Sequence, residues 1–286
     1  MVAEGDEEKT MPATRLAMRR VEKVWGRRDL PPAFGAVAAD GEPVGEIWFE
    51  HPGGGNPVLL VKYLFTSERL SIQVHPDDAA ARAAGYERGK DEAWVVLNAE
   101  PEATIGIGLT APVSRDELRA AALDGRIADM LDWRPATAGD VYYSPAGTVH
   151  ALGPGLSLIE VQQNVDLTYR LYDYGRPREL HLEEGIAVAD PVPYEAAFTP
   201  YALMPGRDIL ADGPAFVLER RTVAAAGRAE GTCWLIPVSG GGTIDRAPLE
   251  AGSVWMIEGD ADVVIDEGSD VLIAYPGSGV REALLA

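Results

Sequence analysis

Apolar and polar residues alternate with a period of two over short stretches along most of the chain, and glycine or proline punctuates the stretches. Side chains two apart leave the same face of a strand, so each stretch predicts a strand with one face buried. In the first half the pattern predicts strands over Leu16–Val24, Val44–Phe49, Val58–Phe65, Leu70–His75, Ala93–Leu97 and Thr104–Ile107. It continues over Val141–Tyr143, Leu156–Gln162, Thr168–Tyr172, Ala215–Val223, Cys233–Val238, Ser253–Ile257, Asp262–Ile265 and Val271–Tyr275. Many short strands separated by turn signals predict a sandwich or barrel, and the fold expected is mainly β, two barrel or jelly-roll units with a few short helices.

Helical signals interrupt this pattern in few places. Pro76-Asp77-Asp78 before Ala79–Gly85 reads as an N-capped, alanine-rich helix closed by glycine. Ser114-Arg115-Asp116-Glu117 is a capping box that opens a helix running to about Leu123. Asp124–Leu131 and Leu180–Val188 complete the helical set, the last with Glu183 and Glu184 in its first turn. Asp190–Pro205 carries four prolines and breaks the pattern, which places a domain junction near residue 200. The expected organisation is therefore an acidic flexible segment over 1–13, a site-bearing domain over 14–199 and a second β domain over 200–286.

Composition narrows the functional classes. No run of about 18 apolar residues exists to cross a membrane, and the acidic start of the chain does not read as a secretory signal. The single cysteine, Cys233, excludes an internal disulfide and points to a reducing cytoplasm. A net charge of −20 repels nucleic acid and anionic membranes, so neither is expected as a partner. An anionic small molecule would need cations concentrated locally. Of 25 basic residues only Lys9, Lys23, Lys62 and Lys90 are lysines, and Lys62 and Lys90 flank the most unusual motif of the chain. A compact ammonium is a strong partner for a phosphate or a polarised oxygen.

That motif is Ser71–Asp78, SIQVHPDD, in which Gln73 and His75 leave one strand face together. A second motif runs from Gly139 to His150, GDVYYSPAGTVH. Its spacing of Gly139, Pro145, Gly147 and His150 is similar to the second cupin motif, in which a tight turn delivers a metal-binding histidine. Pro145 presets φ and Gly147 permits the reversal, which gives the spacing a physical reason. Between the motifs Glu92 offers a carboxylate at the start of a strand. Gln73, His75, Glu92 and His150 form a set of two nitrogens and two oxygens that suits zinc, with iron, manganese and cobalt also compatible. Of the two remaining histidines, His51 is expected in a solvent-exposed glycine loop and His181 as a helix cap.

Downstream, Ile159–Asp173 is unusually polar for a strand pair. Alternation puts Glu160 with Gln162 on one face and Thr168, Arg170 and Tyr172 on another. Burying such groups is costly unless they pair with each other, as Arg170 with Glu160, or meet a substrate.

Four segments, SIQVHPDD, GKDEAW, GDVYYSPAGTVHALG and IEVQQNVDLTYRLYDYGR, resemble in order the signature segments of type I mannose-6-phosphate isomerases. VEKVW, GEIW and VKYLF resemble the N-terminal part of that family, and the likeness covers about residues 14–190. Tyr174 departs from it, standing where tryptophan is usual before Gly-Arg. The length is similar to the short bacterial form. The resemblance implies a pair of cupin-like units and a zinc-dependent isomerase that interconverts mannose 6-phosphate and fructose 6-phosphate, with one Zn2+ on Gln73, His75, Glu92 and His150. It further implies basic site residues at Lys62, Lys90 and Arg170 and acidic ones at Glu160 and Asp166. Catalysis is thus expected of Arg170, Asp166, Glu160 and Lys90, and phosphosugar binding of Lys62, Lys90, Ser71 and Arg170, in a monomer or homodimer. The competing readings are another cupin-type sugar-phosphate isomerase or epimerase, an iron dioxygenase, and a sugar-binding protein without turnover.

Overall fold

A computed structural model describes residues 12–285. The chain is mainly β, and its strands form four antiparallel sheets. In spatial order the six-stranded sheet holds Ala17–Arg27, Val44–Glu50, Leu59–Phe65, Leu156–Gln163, Glu92–Ala99 and Val141–Ser144. The five-stranded sheet holds Tyr169–Tyr172, Ile72–Val74, His150–Leu152, Thr104–Leu109 and Leu131–Pro135. The seven-stranded sheet holds Ala13–Arg15, Trp255–Ile257, Cys233–Ser239, Asp270–Pro276, Phe216–Arg221, Arg207–Asp212 and Tyr201–Met204. Ala225–Glu230, Asp260–Ile265, Gly241–Ile244 and Ala247–Glu250 make the four-stranded sheet.

Shared apolar clusters give the order of the layers. Ile105, Ile107 and Leu152 of the five-stranded sheet pack on Leu64, Trp94 and Leu158 of the six-stranded sheet. The opposite face of the six-stranded sheet, with Val61, Tyr63, Val95, Ile159 and Val161, packs on Phe216, Leu218, Trp234 and Leu272 of the seven-stranded sheet. The far face of that sheet, through Val217, Cys233 and Ile273, covers Ile244, Val263 and Ile265 of the four-stranded sheet. Helices close the other end, where Leu118, Ala121, Ile127 and Ile186 lie against Ile72, Val74 and Leu171. A sheet covered on both faces needs strands that are apolar throughout, and LLVKYLF, Leu59–Phe65, is buried along its whole length. Its one lysine, Lys62, is the exception, and its ammonium donates to Glu160 and Gln162.

The mainly β expectation holds, but no sheet closes into a barrel among the described residues. Strand order is linear in each sheet, and Ala17–Arg27 and Val141–Ser144 stand at opposite edges of the six-stranded one with four strands between them. The expected helices appear, and two of them are opened by the capping residues read from the sequence. Ala80 N–H donates to Asp77 at the start of Asp78–Ala83 (2.7 Å). The Ser114–Glu117 capping box opens Arg115–Asp124, which ends at Gly125 with φ 86°. Ile127–Met130 and Leu182–Val188 follow. None of the helices is long and apolar enough to cross a membrane, among the described residues. Of the acidic N-terminal segment, residues 1–11 lie outside the described residues, whereas Ala13–Arg15 pairs with Trp255–Ile257.

Candidate metal centre and its cleft

Strand register builds the site as two facing rows. In the six-stranded sheet Trp48 pairs with Lys62, Lys62 with Glu160, and Glu160 with Trp94. One pair further along, Gln162 stands beside Glu92. In the five-stranded sheet Arg170 pairs with Gln73, and Gln73 with His150. Lys62, Leu64, Glu92, Trp94 and Glu160 therefore face the cleft, and Val61, Tyr63, Ala93, Val95, Ile159 and Val161, which alternate with them, enter the core between the six- and seven-stranded sheets.

Where the rows meet, His75, Glu92 and His150 bring one ligand atom each within 4.8 Å of the others, and all three are buried. Glu92 Oε1 lies 3.0 Å from His150 Nε2 and 3.5 Å from His75 Nε2. The Nδ1 of His75 is 3.0 Å from the carbonyl of Leu167, and that of His150 is 2.9 Å from the carbonyl of Thr148. A carbonyl only accepts, so each Nδ1 carries the proton and each Nε2 presents a lone pair to the centre. Gln73 completes the ring, its amide 3.1 Å from His150 Nε2 and within reach of Ser71 Oγ at 3.3 Å.

The donor set fits a divalent cation on physical grounds. Both oxygens of Glu92 are buried without a hydrogen bond of normal geometry, although Lys90 Nζ lies 2.8 Å from Oε2. An ionised carboxylate left so is expensive in a dry interior. Burial opposes the charge on Glu92, yet the Lys90 ammonium and the two imidazoles hold it well below the usual carboxylate range. Burial also pushes the His75 imidazolium down, to about 3, with the Lys90 charge adding to the effect. Neutral imidazoles and an ionised carboxylate are the forms that bind a metal.

Cations fill the rest of the cleft. Lys62 Nζ donates to Glu160 Oε1 (3.1 Å) and Gln162 Oε1 (2.5 Å) and sits 4.5 Å above the Trp48 ring. Trp94 Nε1 donates to the other oxygen of Glu160 (3.1 Å). Glu46 accepts from Trp48 Nε1 (2.6 Å) and lies 3.7 Å from Lys23 Nζ. Burial works against the Lys90 ammonium, but Glu92 and Glu160 outweigh it and raise its pKa. Five cationic and four carboxylate side chains line this cleft in a chain of net charge −20. The cleft therefore carries an excess of one positive charge, opposite in sign to the chain as a whole.

The structure thus brings Ser71, Gln73, His75, Glu92, His150, Lys62, Lys90, Glu160, Asp166 and Arg170 to one place, with Asp166 exposed at the mouth. Sequence reasoning missed Lys23, Glu46, Trp48, Trp94 and Arg178, which also line the cleft. The scarcity of lysine was the available signal, since Lys23 joins Lys62 and Lys90. Several contacts differ from expectation. Glu160 is bonded to Lys62 and Trp94 and not to Arg170, which donates to the Glu179 carbonyl (3.3 Å). A register shift between Arg170 and Tyr172 turns Tyr172 away from the cleft and toward Gly125 on the helical side. His181 occupies the cap position of Leu182–Val188 without a capping bond, and its Nδ1 accepts from the Arg170 N–H (3.3 Å). His51 is half-buried, its Nδ1 accepting from Gly53 N–H.

No protein-family model matches the chain. By sequence it is similar to "Mannose-6-phosphate isomerase" of Streptococcus mutans, 36% identical over 205 residues and 58% of this chain. The chain spans 64% of that relative's length, short of two thirds. By structure it is similar to the mannose 6-phosphate isomerase of Bacillus subtilis, with a TM-score of 0.76, 26% identity and coverage of 91% of this chain and 98% of that one. A zinc-bound mannose 6-phosphate isomerase has the same fold at a TM-score of 0.70, with 93% of this chain and 100% of that one covered at 14% identity. The family resemblance read from the sequence segments is thus met again in relatives and in solved structures.

Proposed function

We propose that this chain is a zinc-dependent aldose–ketose isomerase that interconverts mannose 6-phosphate and fructose 6-phosphate. The observation that carries the proposal is the convergence of His75, Glu92 and His150, with the buried Glu92 oxygens unbonded, on the floor of a cationic cleft. The names of the relatives in sequence and fold supply the reaction.

In this reading Gln73, His75, Glu92 and His150 hold one Zn2+. In the structure Ser71 Oγ donates to Gln73 Oε1 (3.3 Å) and the Gln73 nitrogen lies 3.1 Å from His150 Nε2, so Gln73 would offer its oxygen to the cation after a half-turn of the amide. Bound there, a divalent cation polarises the sugar's carbonyl and hydroxyl oxygens and lowers the barrier to C–H ionisation. The chain's own groups do the rest. A base must carry the proton between C1 and C2 through an enediol or enediolate. We assign it to Glu160, which is buried and oriented by Lys62 and Trp94, in preference to Asp166 at the mouth. Lys90, beside His75 and Glu92, holds negative charge that develops on the sugar oxygens. Arg170, whose Nε is buried without a partner, receives the phosphate together with Ser71 and Lys62. The finer architecture follows the same reading: two cupin-like units divided near residue 200, the first carrying the site, working in the cytoplasm.

The test is a coupled isomerase assay before and after chelation, with zinc then restored. Turnover of mannose 6-phosphate should vanish and return, and unphosphorylated mannose should be a poor substrate. Arg170→Ala and Glu160→Gln should each lose at least 100-fold in kcat with zinc retained, whereas Asp166→Asn should lose less than tenfold. Sugar-phosphate binding without turnover in a zinc-loaded sample would overturn the proposal. A larger loss in Asp166→Asn than in Glu160→Gln would transfer the base to Asp166.

A further inference from the structure

Between the two cleft-facing residues Lys90 and Glu92, Asp91 points the other way, and every polar atom it has is engaged. Its Oδ1 accepts from the backbone N–H of Ala146 (2.9 Å) and its Oδ2 from the Tyr143 hydroxyl (2.6 Å). Its backbone exchanges bonds with Gln163, through Asp91 N–H to Gln163 Oε1 (2.9 Å) and Gln163 N–H to the Asp91 carbonyl (3.1 Å). Ala146 belongs to the Ser-Pro-Ala-Gly turn that leads into His150. The next residue of that turn, Gly147, donates its N–H to the carbonyl of His75 (2.8 Å). One buried carboxylate thus ties the segment bearing Glu92 to the turn that delivers His150, and the turn in turn grips His75.

The Tyr143 end of this clamp reaches the seven-stranded sheet. Its ring meets Phe216 edge-on at 5.9 Å between centroids. Its hydroxyl fills the space where a Cβ on Gly213 would stand: an added Cβ would fall 2.0 Å from the hydroxyl oxygen and 2.4 Å from the ring carbon bearing it. Gly213 sits in the turn between Arg207–Asp212 and Phe216–Arg221, where its N–H donates to the Phe216 carbonyl (3.0 Å). Any side chain there must displace either the hairpin or the Tyr143 hydroxyl, and the ring, wedged against Phe216, has little room to yield.

We infer that Asp91 is a positioning residue for the metal centre, and that Tyr143 and the Gly213 hairpin of the seven-stranded sheet are the outer part of the same clamp. The second half of the chain thereby sets the spacing of Glu92, His75 and His150 without touching ligand or substrate. The inference rests on reading the triad as a metal centre. Groups that orient metal ligands from outside are worth about 10–100-fold in metal affinity.

The measurement is Zn2+ affinity by competition with a chromogenic chelator, on the full chain stripped of metal and reloaded. Asp91→Ala should weaken binding about 10–100-fold, and Tyr143→Phe and Gly213→Ala about tenfold. Tyr143→Phe keeps the ring on Phe216, so its metal-free melting curve should match the wild type within a few degrees and separate loss of affinity from loss of fold. Turnover of each variant should return at saturating Zn2+ with KM for the sugar phosphate unchanged, an outcome that general loosening would not produce. Affinities within twofold of wild type in Tyr143→Phe and Gly213→Ala overturn the inference. A wild-type chain that fails to take up Zn2+ overturns the metal reading itself.

Discussion

His75 shows what one buried imidazole does to the metal-free protein. The unfolded chain binds a proton at this residue near the ordinary value of 6.5, whereas burial, with Lys90 beside it, delays protonation in the folded form to about 3. The folded state therefore binds fewer protons between these limits, and its stability falls as pH drops below about 6.5, by at most about 1.4 kcal/mol per pH unit for this one group. The urea midpoint of the metal-free protein should decline from pH 7 to pH 5, and the His75→Gln variant should show a shallower decline. Equal slopes would remove His75 from the account. The chemistry at this scale was legible because a histidine two residues from a glutamine, and another at the end of a Pro-Gly turn, are spacings with geometric meaning. Glu46 and Trp48 were not legible, since only the pairing of Val44–Glu50 with Leu59–Phe65 turns them toward the cleft, and Lys23 carried no signal beyond the rarity of lysine.

Among the elements, helices were easier to place than strands because their ends carry their own signals. Ser114 accepts from Glu117 N–H, and Glu117 reaches back to Ser114 N–H (2.8 Å), so two orphan donors are satisfied locally. Ser114→Ala should cost about 1 kcal/mol and lower Tm by about 2–4 °C. Turnover should be unchanged, because Arg115–Asp124 packs on the face of the five-stranded sheet away from the cleft. A fall in kcat would mean that the helix reaches the site. Strands with poor β formers escaped the pattern. Gly241–Ile244 and Ala225–Glu230 are rich in glycine and alanine, Ala247–Glu250 carries a proline, and all three become strands by pairing in the four-stranded sheet. His150–Leu152 is too short to show a period, and it is the strand that brings His150 to the cleft.

For the molecule as a whole, the stacking of four sheets is a matter of long-range pairing that no local period encodes. Ala13–Arg15 finds its partner at Trp255–Ile257, at the other end of the chain. Cys233 reports on that assembly. It is wholly buried between the seven- and four-stranded sheets, and burial pushes its thiol up to about 12. The thiolate is the reactive form, so an aromatic disulfide reagent at pH 8 should react orders of magnitude more slowly with the native protein than with the urea-unfolded chain. Rapid native labelling would show that the two sheets part readily.

The six-stranded sheet separates two kinds of inheritance. In its central strands Val61, Tyr63, Val95, Ile159 and Val161 answer to the neighbouring sheet, and Lys62, Glu92, Trp94 and Glu160 answer to the cleft. Adding or removing one residue within these strands would transpose the two sets, sending an ammonium into the core and an aromatic ring into the cleft. Exchange of a cleft-facing polar residue such as Lys62 or Glu160 leaves the odd-numbered core positions beside it in place. Point substitution can therefore reshape the cleft alone, whereas a length change inside the same strands disturbs cleft and core together.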